Sequence, residues 1–359
     1  MVPLTTGGDT ALPRLPVPSR KAVGLTVDDG ATVAIVAPFR RPAVSGVVFH
    51  GGDNGDPAVA FSGRTVTWAS DADPLGSGAP GTQVLVSSPA GIVQVAVDPT
   101  GTSADPAIDL FGTAVAFDST GDLAATGNAG ARQVFVRILR GGPIAQVSRG
   151  VGTSGHAAIG AKGRVVVFDS TSDATSGADT GVAQIWVADR VAGTTRALTA
   201  GAAPSTRPTL SDDARVIAFE SRADLAGDGH DTGTSQVYVH DLRTATFARL
   251  TDDAGGCTAP AVARIQRDWR VTYRCGGQVY FTMLRAGTRW RIDIPAGDTS
   301  GILPQVDVHF LLVSTTADLA SGAGTTPGHQ VYMVNLWKRP PVPVAGSVLW
   351  FPTQGIPPL

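Results

Sequence analysis

Short apolar runs alternate with turn-forming residues along almost the whole chain. Six glutamines are each followed by three apolar or aromatic residues, as in QVLV, QVFV, QIWV, QVYV, QVYF and QVYM. These are Gln83, Gln133, Gln184, Gln236, Gln278 and Gln330, separated by 50, 51, 52, 42 and 52 residues. Self-similarity at this period is typical of repeat proteins, so the fold is predicted from the repeat unit.

Each repeat contains further strand-like runs around its glutamine. Upstream lies an apolar run that ends in a small residue: TWAS, AFDS, VFDS, AFES, TYRC or LLVS. A shorter run precedes it, often opened by a proline pair such as Asp105-Pro106, and another follows the glutamine strand. Turn residues separate the runs, so each unit is predicted to form four β-strands.

Four-stranded units of about 50 residues predict an all-β fold, the β-propeller, in which each sheet packs against its neighbours. The repeats lie near residues 56–104, 105–154, 155–205, 206–257, 258–300 and 301–346. Three more strand-like runs lie at 23–27, 32–36 and 45–50, and one at 348–351. We expect seven blades, the last a composite of residues 20–55 and 347–352, within a single domain of residues 20–352. Residues 1–19 and 353–359 are then terminal extensions, and six blades are the alternative.

The repeats carry a resemblance to a known family. Segments such as VAFDSTGDLAATGNAGARQVFV and VVFDSTSDATSGADTGVAQIWV resemble the bacterial WD40-like, or TolB-like, propeller repeat. The resemblance covers residues 56–336, although glutamine stands where that repeat usually has aspartate. It implies a scaffold for protein contacts in the periplasm or outside the cell.

Acidic residues recur at one end of the predicted blades. Strands that alternate in direction place the loop after the second strand and the link to the next blade at the same end. The candidate binding residues there are Asp53, Asp56, Asp73, Asp122, Asp173, Asp224, Asp228, Asp231 and Asp318. Calcium is one hypothesis, centred on Asp53, Asp56, Asp228 and Asp231, because hard cations prefer several oxygen ligands. The alternative is that these carboxylates cap the turns of their own loops.

The repeated glutamines and aromatics are interpreted as structural. A side-chain amide can satisfy backbone groups at the start of a buried strand, which explains its recurrence in every unit. The aromatic residues at fixed strand positions, such as Phe117 and Phe135, are suited to packing between blades. A carbohydrate-stacking surface is the functional alternative.

Two cysteines are predicted to form a disulfide. Cys257 lies at the entry to the fifth unit and Cys275 ends its second strand, so both fall at one end of one blade. A disulfide would place the protein in an oxidising compartment. The alternative is a pair of buried thiols in a cytoplasmic protein.

Composition narrows the functional classes. The net charge is −2 and the basic residues are scattered, which argues against nucleic acid as a partner. No apolar run is long enough to span a membrane, and residues 1–15 lack the features of a signal peptide, so a periplasmic or extracellular chain would have lost its leader.

The sequence contains none of the common nucleophile, zinc or nucleotide motifs. We therefore expect a monomeric, non-enzymatic scaffold that binds a protein or peptide without a cofactor. One alternative is an enzyme, a lyase or glycan hydrolase, with carboxylates at the central channel. A second is a structural module of a larger surface protein.

Overall fold

The computed structural model describes residues 2–3, 23–27, 32–36, 44–62, 64–97, 100–127, 130–173, 176–227, 233–293, 299–304, 310–317, 325–336 and 342–343. These residues form 28 strands and one 3₁₀ turn, Ala161–Gly163. The strands group into seven antiparallel sheets, six of which correspond to the six repeats. No helix in these ranges is long and apolar enough to cross a bilayer.

The first three repeats form sheets 1 to 3, each with its strands in chain order. Sheet 1 consists of β5 (Asn54–Val59), β6 (Val66–Ser70), β7 (Gln83–Ser88) and β8 (Gly91–Gln94). Sheet 2 consists of β9 (Ser103–Ile108), β10 (Ala114–Ser119), β11 (Gln133–Ile138) and β12 (Ile144–Gln146). Sheet 3 consists of β13 (Ser154–Gly160), β14 (Val165–Ser172), β15 (Asp179–Asp189) and β16 (Thr194–Ala197).

Sheets 4 to 6 continue the pattern, and two of them gain a strand from a distant part of the chain. Sheet 4 consists of β17 (Ser205–Leu210), β18 (Val216–Ser221), β19 (Gln236–Asp241) and β20 (Thr246–Arg249). Sheet 5 consists of β21 (Cys257–Ile265), β22 (Asp268–Cys275), β23 (Gln278–Met283), β24 (Thr288–Ile292) and the late strand β28 (Val342–Pro343). Sheet 6 consists of β25 (Thr299–Pro304), β26 (Phe310–Ala317), β27 (Thr325–Asn335) and β1 (Val2–Pro3) from the N-terminus.

The seventh sheet has three strands in the described residues: β2 (Val23–Val27), β3 (Thr32–Val36) and β4 (Val44–His50). They lie where the sequence predicts three strands of the closing blade. The fourth strand predicted at 348–351 lies outside the described residues. Within residues 1–19, which the sequence assigns to an extension, the described residues Val2–Pro3 pair with β27.

Position within a sheet determines burial. The second strands β6, β10 and β18 are buried along their whole length, because a sheet lies on each side of them. The fourth strand of sheet 3, β16, is exposed throughout. The first strands of successive sheets contact one another from β2 to β25, so they form the inner wall of the ring.

The core consists of layers between neighbouring sheets. One cluster joins Val167 and Ile185 of sheet 3 to Phe219 and Tyr238 of sheet 4. The aromatic residues that recur in the repeats occupy these layers, and the Phe219 and Tyr238 rings stack with centroids 5.9 Å apart. Burial of each such ring contributes about 2–3 kcal/mol. These aromatic residues therefore pack between neighbouring sheets, as the sequence predicts.

Candidate functional site

In sheets 1 to 4 the repeated glutamine binds the link that leads to the next sheet. Gln236 Nε2 donates to the Asp253 carbonyl at 2.7 Å, and its Oε1 accepts from the Thr251 hydroxyl at 2.7 Å. That hydroxyl also accepts from the Val237 N–H at 2.8 Å. Sheets 2 and 3 repeat the arrangement, with Ser148 and Thr199 in the place of Thr251. These side-chain amides bind backbone carbonyl groups, which is the structural role that the sequence predicts for them.

The disulfide replaces a buried serine pair. In sheets 2, 3 and 4 the first residue of the first strand and the residue opposite it on the second strand are serines with hydroxyl oxygens 2.8–3.0 Å apart. In sheet 5 the same register pairs Cys257 with Cys275, whose sulfurs are bonded and whose Cα atoms are 4.4 Å apart. That separation lies within the range for disulfides and is typical of directly opposed, closely spaced strand residues.

The loop aspartates of the second-to-third-strand connections cap their own turns. Asp73 accepts from the backbone N–H groups of Ser77 and Gly78, and Asp122 accepts from Thr126 and Gly127. These hydrogen bonds, with that from Gly78 the largest, lower the pKa of Asp73. The carboxylates of Asp73 and Asp122 therefore stabilise the turns of their own loops.

The remaining aspartates predicted for the binding face have different surroundings. Asp173 and Asp224 accept from Ser176 and Gly227 in the same way as the other caps. Asp228, Asp231 and Asp318 lie outside the described residues. The Asp53 N–H donates to the Asp71 carboxylate at 2.6 Å. No three His, Cys, Asp or Glu side chains come together as a metal site within the described ranges.

A second set of residues, which share an unusual backbone conformation, lies on the inner wall. In five successive sheets the third residue of the first strand has a left-handed φ of 46–55°: Asp56, Asp105, His156, Arg207 and Ala259. The strand register shifts at each of them, so each is a β-bulge. Bulges re-aim a side chain relative to its strand and are common beside binding and active sites. These five positions are called the mouth residues below.

Acidic residues of the second strands hold the bulges from the neighbouring sheet. Asp169 of sheet 3 accepts from the Arg207 N–H of sheet 4 at 2.8 Å. Glu220 of sheet 4 accepts from the Ala259 N–H of sheet 5 at 2.9 Å. Both carboxylates are buried. Each one accepts a hydrogen bond from the backbone N–H of a bulge residue in the next sheet, which would otherwise lack a partner in the strand ladder.

Asp118 occupies the same position in sheet 2 and is the most perturbed acid. It is 2% exposed, its carboxylate pairs with Arg132, and a Cβ on Gly155 of sheet 3 would lie 3.0 Å from its Oδ2. Burial, followed by the charge of Asp105, raises its pKa to about 7, against the opposing effects of Arg132 and His156.

Charge is divided unequally around the mouth. Asp56, Asp105 and Asp118 lie in sheets 1 and 2, and the Asp169 Oδ2 is 2.9 Å from His156 Nδ1 in sheet 3. Sheet 4 presents Arg207, and sheet 5 has Arg274 at the position that holds an acid in the three preceding sheets. Within sheets 1 to 5, the mouth has acids in sheets 1 to 3, and in sheets 4 and 5 it has Arg207 and Arg274 together with Glu220.

Of the residues predicted for the binding face, only Asp56 is a mouth residue. The sequence marked the positions of Asp105, Arg207 and Ala259 as openings of strands, because proline follows each of them, and did not assign them a role. Asp118, Asp169 and Glu220 were missed as site residues. Their signal is one polar residue inside an otherwise apolar run, AFDS, VFDS or AFES.

Solved structures with the same architecture are found, whereas no family model matches the chain and the comparison with curated proteins finds no match. The propeller domain of the trilobed protease from Pyrococcus furiosus, described as having an open velcro topology, aligns at TM-score 0.56 and 8% identity over 91% of this chain and 95% of its own. A prolyl endopeptidase aligns at TM-score 0.57 and 13% identity over 95% of this chain, which spans 50% of that protein. TolB from Acinetobacter baumannii aligns at TM-score 0.45 and 16% identity over 77% of this chain, which spans 61% of TolB. At these identities the likeness shows the fold, and the chain is a β-propeller.

Proposed function

We propose that this propeller binds a protein or peptide partner at the loop-bearing end, over the mouth residues. The observation that supports the proposal is the contrast between repeated and varied positions. The glutamines of sheets 1 to 4 and the serine pairs of sheets 2 to 4 recur because each group performs one structural task. The five mouth residues share one backbone geometry but include four different residue types: Asp, His, Arg and Ala.

That contrast has a physical meaning. Holding a non-glycine residue at left-handed φ costs on the order of 1 kcal/mol, and buried carboxylates from the next sheet stabilise the geometry. The backbone contacts do not require any particular side chain at the bulge. Asp, His, Arg and Ala can therefore be presented on a fixed frame, as recognition of a partner with unevenly distributed charge would require.

The enzyme alternative has a specific obstacle at its best candidate acid. Asp118 has the raised pKa of a general acid, but it is buried against sheet 3 and paired with Arg132. A sugar oxygen needs to come within hydrogen-bond distance of such a group. Binding is therefore the better supported function.

We also propose an oxidising compartment, the periplasm or the cell exterior. The support is the bonded pair Cys257–Cys275, since cytoplasmic reductants keep most thiols reduced.

The binding proposal is tested by locating a bound peptide. Peptides are selected against the full chain from a random displayed library, resynthesised with a photo-crosslinking residue, and the crosslinked positions are mapped by mass spectrometry. We expect crosslinks in the loops after the second strands and at the mouth residues. The first-to-second-strand and third-to-fourth-strand turns at the opposite end, such as residues 109–113 and 242–245, serve as the internal control. Crosslinks concentrated in those turns, or a library that yields no binder, would contradict the proposal.

A further inference from the structure

The end of the ring opposite the loops is a surface of short turns that contact one another. The Lys162 ammonium of sheet 3 lies 5.2 Å from the centre of the Phe111 ring of sheet 2. A Cβ on Gly160, at the end of β13, would lie 3.2 Å from the Ala214 Cβ of sheet 4. The turns of sheets 2 to 4 therefore form one surface, called the turn face below: residues 109–113, 139–143, 161–164, 190–193, 211–215 and 242–245.

The turn face is flat compared with the other end of the ring. None of its connections is longer than five residues, and such turns cannot project far from their sheets. At the loop-bearing end, residues 120–132 and 222–235 connect the second and third strands of sheets 2 and 4. The two ends thus differ in shape as well as in sequence.

Three cations of the turn face meet solvent without an acidic partner. Arg140 of sheet 2, Lys162 of sheet 3 and Arg243 of sheet 4 are all exposed. None of the three forms an ion pair within the described part of the chain. They lie in three successive sheets, so their charges are spread over the surface.

The acids in this region are less accessible than the cations. Five aspartates lie on the turn face or at the strand ends beside it, and none of them is exposed: Asp109, Asp189, Asp212, Asp213 and Asp241. Asp189 pairs with Arg164 at 2.7 Å. Asp241 pairs with Arg215, also at 2.7 Å. The charge that solvent meets on this face is therefore mainly positive.

Two large apolar side chains are exposed among these cations. Phe111 is 58% exposed and Val191 is 77% exposed. Lys162 lies over the Phe111 ring, and Arg190, which precedes Val191, donates to the Gly163 carbonyl at 2.7 Å. The two apolar side chains therefore belong to neighbouring turns, with a cation beside each of them.

The loop-bearing end has the opposite charge. Exposed aspartates occur there in sheets 1 to 4 and in the links beside them: Asp53, Asp71, Asp73, Asp122, Asp179 and Asp252. The net charge of −2 thus conceals a separation of charge between the two ends of the ring. A negatively charged plane would attract the turn face and repel the loops, which would orient the molecule.

We infer that the turn face docks on an anionic lipid bilayer, with Arg140, Lys162 and Arg243 at the headgroups and Phe111 and Val191 at the acyl boundary. Basic side chains near an anionic lipid surface gain attraction, and apolar side chains there leave water. Separate cations on a flat face match a plane of negative charges, whereas a single anion requires donors that converge on it. The inference concerns the end opposite the proposed peptide site and does not depend on it.

The test compares vesicles of different charge and variants of equal charge. Full-length oxidised protein is floated with vesicles of equimolar phosphatidylglycerol and phosphatidylcholine, or of phosphatidylcholine alone. The charge variant is Arg140→Gln/Lys162→Gln/Arg243→Gln. Its control removes three exposed arginines from the loop-bearing end and the outer strand β16: Arg149→Gln/Arg196→Gln/Arg222→Gln. Thermal unfolding of each variant checks that it is folded.

We expect wild type to bind the phosphatidylglycerol vesicles and to bind phosphatidylcholine alone only weakly. Each cation near the surface accounts for about fivefold in binding, so the charge variant should bind on the order of 100-fold more weakly. The control should bind nearly as well as wild type, because charges far from the lipid are screened.

The apolar contribution is tested separately. Phe111→Ser should weaken binding to the phosphatidylglycerol vesicles by about tenfold, because less apolar surface leaves water. Leu75→Ser removes a side chain that is 51% exposed at the loop-bearing end and should leave binding unchanged. Equal effects of the two substitutions would contradict the orientation.

The remaining outcomes overturn the inference without affecting the peptide proposal. Wild type that does not bind phosphatidylglycerol vesicles would do so, and so would an equal loss in the charge variant and its control. Sedimentation velocity tests a second copy as the occupant: self-association that the charge variant abolishes would assign the turn face to a protein contact.

A smaller variant covers failure of the triple substitution to fold. The side chains of Arg140 and Arg243 form no hydrogen bond or ion pair within the described residues, so Arg140→Gln/Arg243→Gln should fold. Its binding should fall on the order of 30-fold relative to Arg149→Gln/Arg222→Gln. Unchanged binding would overturn the inference.

Discussion

At the scale of single residues, the interior of this propeller is held by a few buried polar groups that repeat from sheet to sheet. Thr251 illustrates them, because its hydroxyl both donates to Gln236 and accepts from the Val237 backbone. Each repetition ties the end of one sheet to the chain that starts the next. Loss of such a group leaves buried partners without hydrogen bonds, which costs more than the bond itself contributes.

Thr251→Val tests this directly, since valine has nearly the same shape as threonine. We expect the free energy of unfolding to fall by about 1–3 kcal/mol, measured by urea denaturation, because Val237 N–H and Gln236 Oε1 lose a partner. Thr195→Val, at an exposed position of β16, is the matched control and should change stability by less than about 0.5 kcal/mol. Equal effects of the two substitutions would show that the repeated network does not stabilise the fold.

His240 predicts a pH dependence of stability. The ring is 2% exposed, lies 4.4 Å from the Phe247 ring, and neither of its nitrogens has a hydrogen-bond partner in the described part of the chain. Burial, followed by the charge of Arg196, lowers its pKa from 6.5 to about 4, while Asp241 opposes this shift. The native state therefore favours the neutral ring, and the unfolded chain binds the extra proton between these two values.

The contribution of His240 should be fully present above about pH 6.5 and should be lost as the pH falls towards 4. In His240→Leu this loss is absent, so the unfolding free energy of the wild type should decline relative to the variant over that window. Chemical denaturation at several pH values measures the difference. A difference that does not change with pH would contradict the assignment of a neutral buried imidazole.

At the scale of elements, the turns and strand ends show where repeats have diverged without losing their geometry. The third-to-fourth-strand turn has Gly193 in sheet 3 and Gly287 in sheet 5, both at positive φ. In sheet 4 the equivalent residue is Ala245, held at φ 55° and exposed. A side chain in this conformation is strained, whereas glycine adopts it freely.

Ala245→Gly should therefore stabilise the protein, by about 1 kcal/mol, measured as a rise in the urea midpoint at an unchanged denaturant slope. Ala192→Gly, in the sheet 3 turn beside the residue that already has positive φ, is the control. It should be neutral or destabilising by about 0.5–1 kcal/mol, because glycine there only adds entropy to the unfolded chain. A destabilised Ala245→Gly variant would refute the strain at this turn.

The disulfide belongs to the same scale, because it links the first and second strands of sheet 5. Cys257→Ser/Cys275→Ser recreates the serine pair of sheets 2 to 4, so packing changes little and the measured difference reports the cross-link. We expect a loss of about 3 kcal/mol for the 18-residue separation. Intact mass before and after thiol alkylation establishes that the wild type is oxidised. Two titratable thiols in protein purified without reductant would contradict both the bond and the proposed compartment.

At the scale of the whole molecule, buried acids connect sheet 3 to sheet 4 and sheet 4 to sheet 5. Asp169 is the clearest case, since its Oδ2 accepts from Arg207 of the following sheet and lies beside His156 of its own. The strained bulges at the mouth thus depend on sheet-to-sheet contacts. Mouth geometry and ring assembly are therefore coupled.

Asp169→Ala should lower the unfolding free energy by about 1–3 kcal/mol, because the Arg207 N–H loses its acceptor. Asp169→Asn keeps a carbonyl oxygen at the same distance and should cost clearly less. Urea unfolding of the two variants makes the comparison. If the free energy of unfolding falls equally in both variants, Asp169 stabilises the protein through its charge and not through the hydrogen bond to the Arg207 N–H.

The sequence by itself determined the fold class and much of the frame. The 50-residue period, the proline and glycine positions and the apolar runs specify local strands and turns, which depend on neighbours in the chain. For the same reason the structural role of the glutamines, the pairing of Cys257 with Cys275 and the three strands of residues 23–50 were readable in advance. The glutamines and the cysteine pair stand out when equivalent positions of successive repeats are compared, and the strands of residues 23–50 stand out as local apolar runs.

Only the tertiary structure decided which polar residues are available for binding. Asp73 and Asp105 look alike in sequence, yet one caps its own loop and the other lies on a bulge at the mouth. The destination of β1 in sheet 6 and of β28 in sheet 5 was equally unreadable, because pairing between chain ends carries no local signal. The bulge at Arg207 is held by Asp169 of the preceding sheet, and such contacts between sheets are set by packing of the whole ring, not by neighbours in the chain.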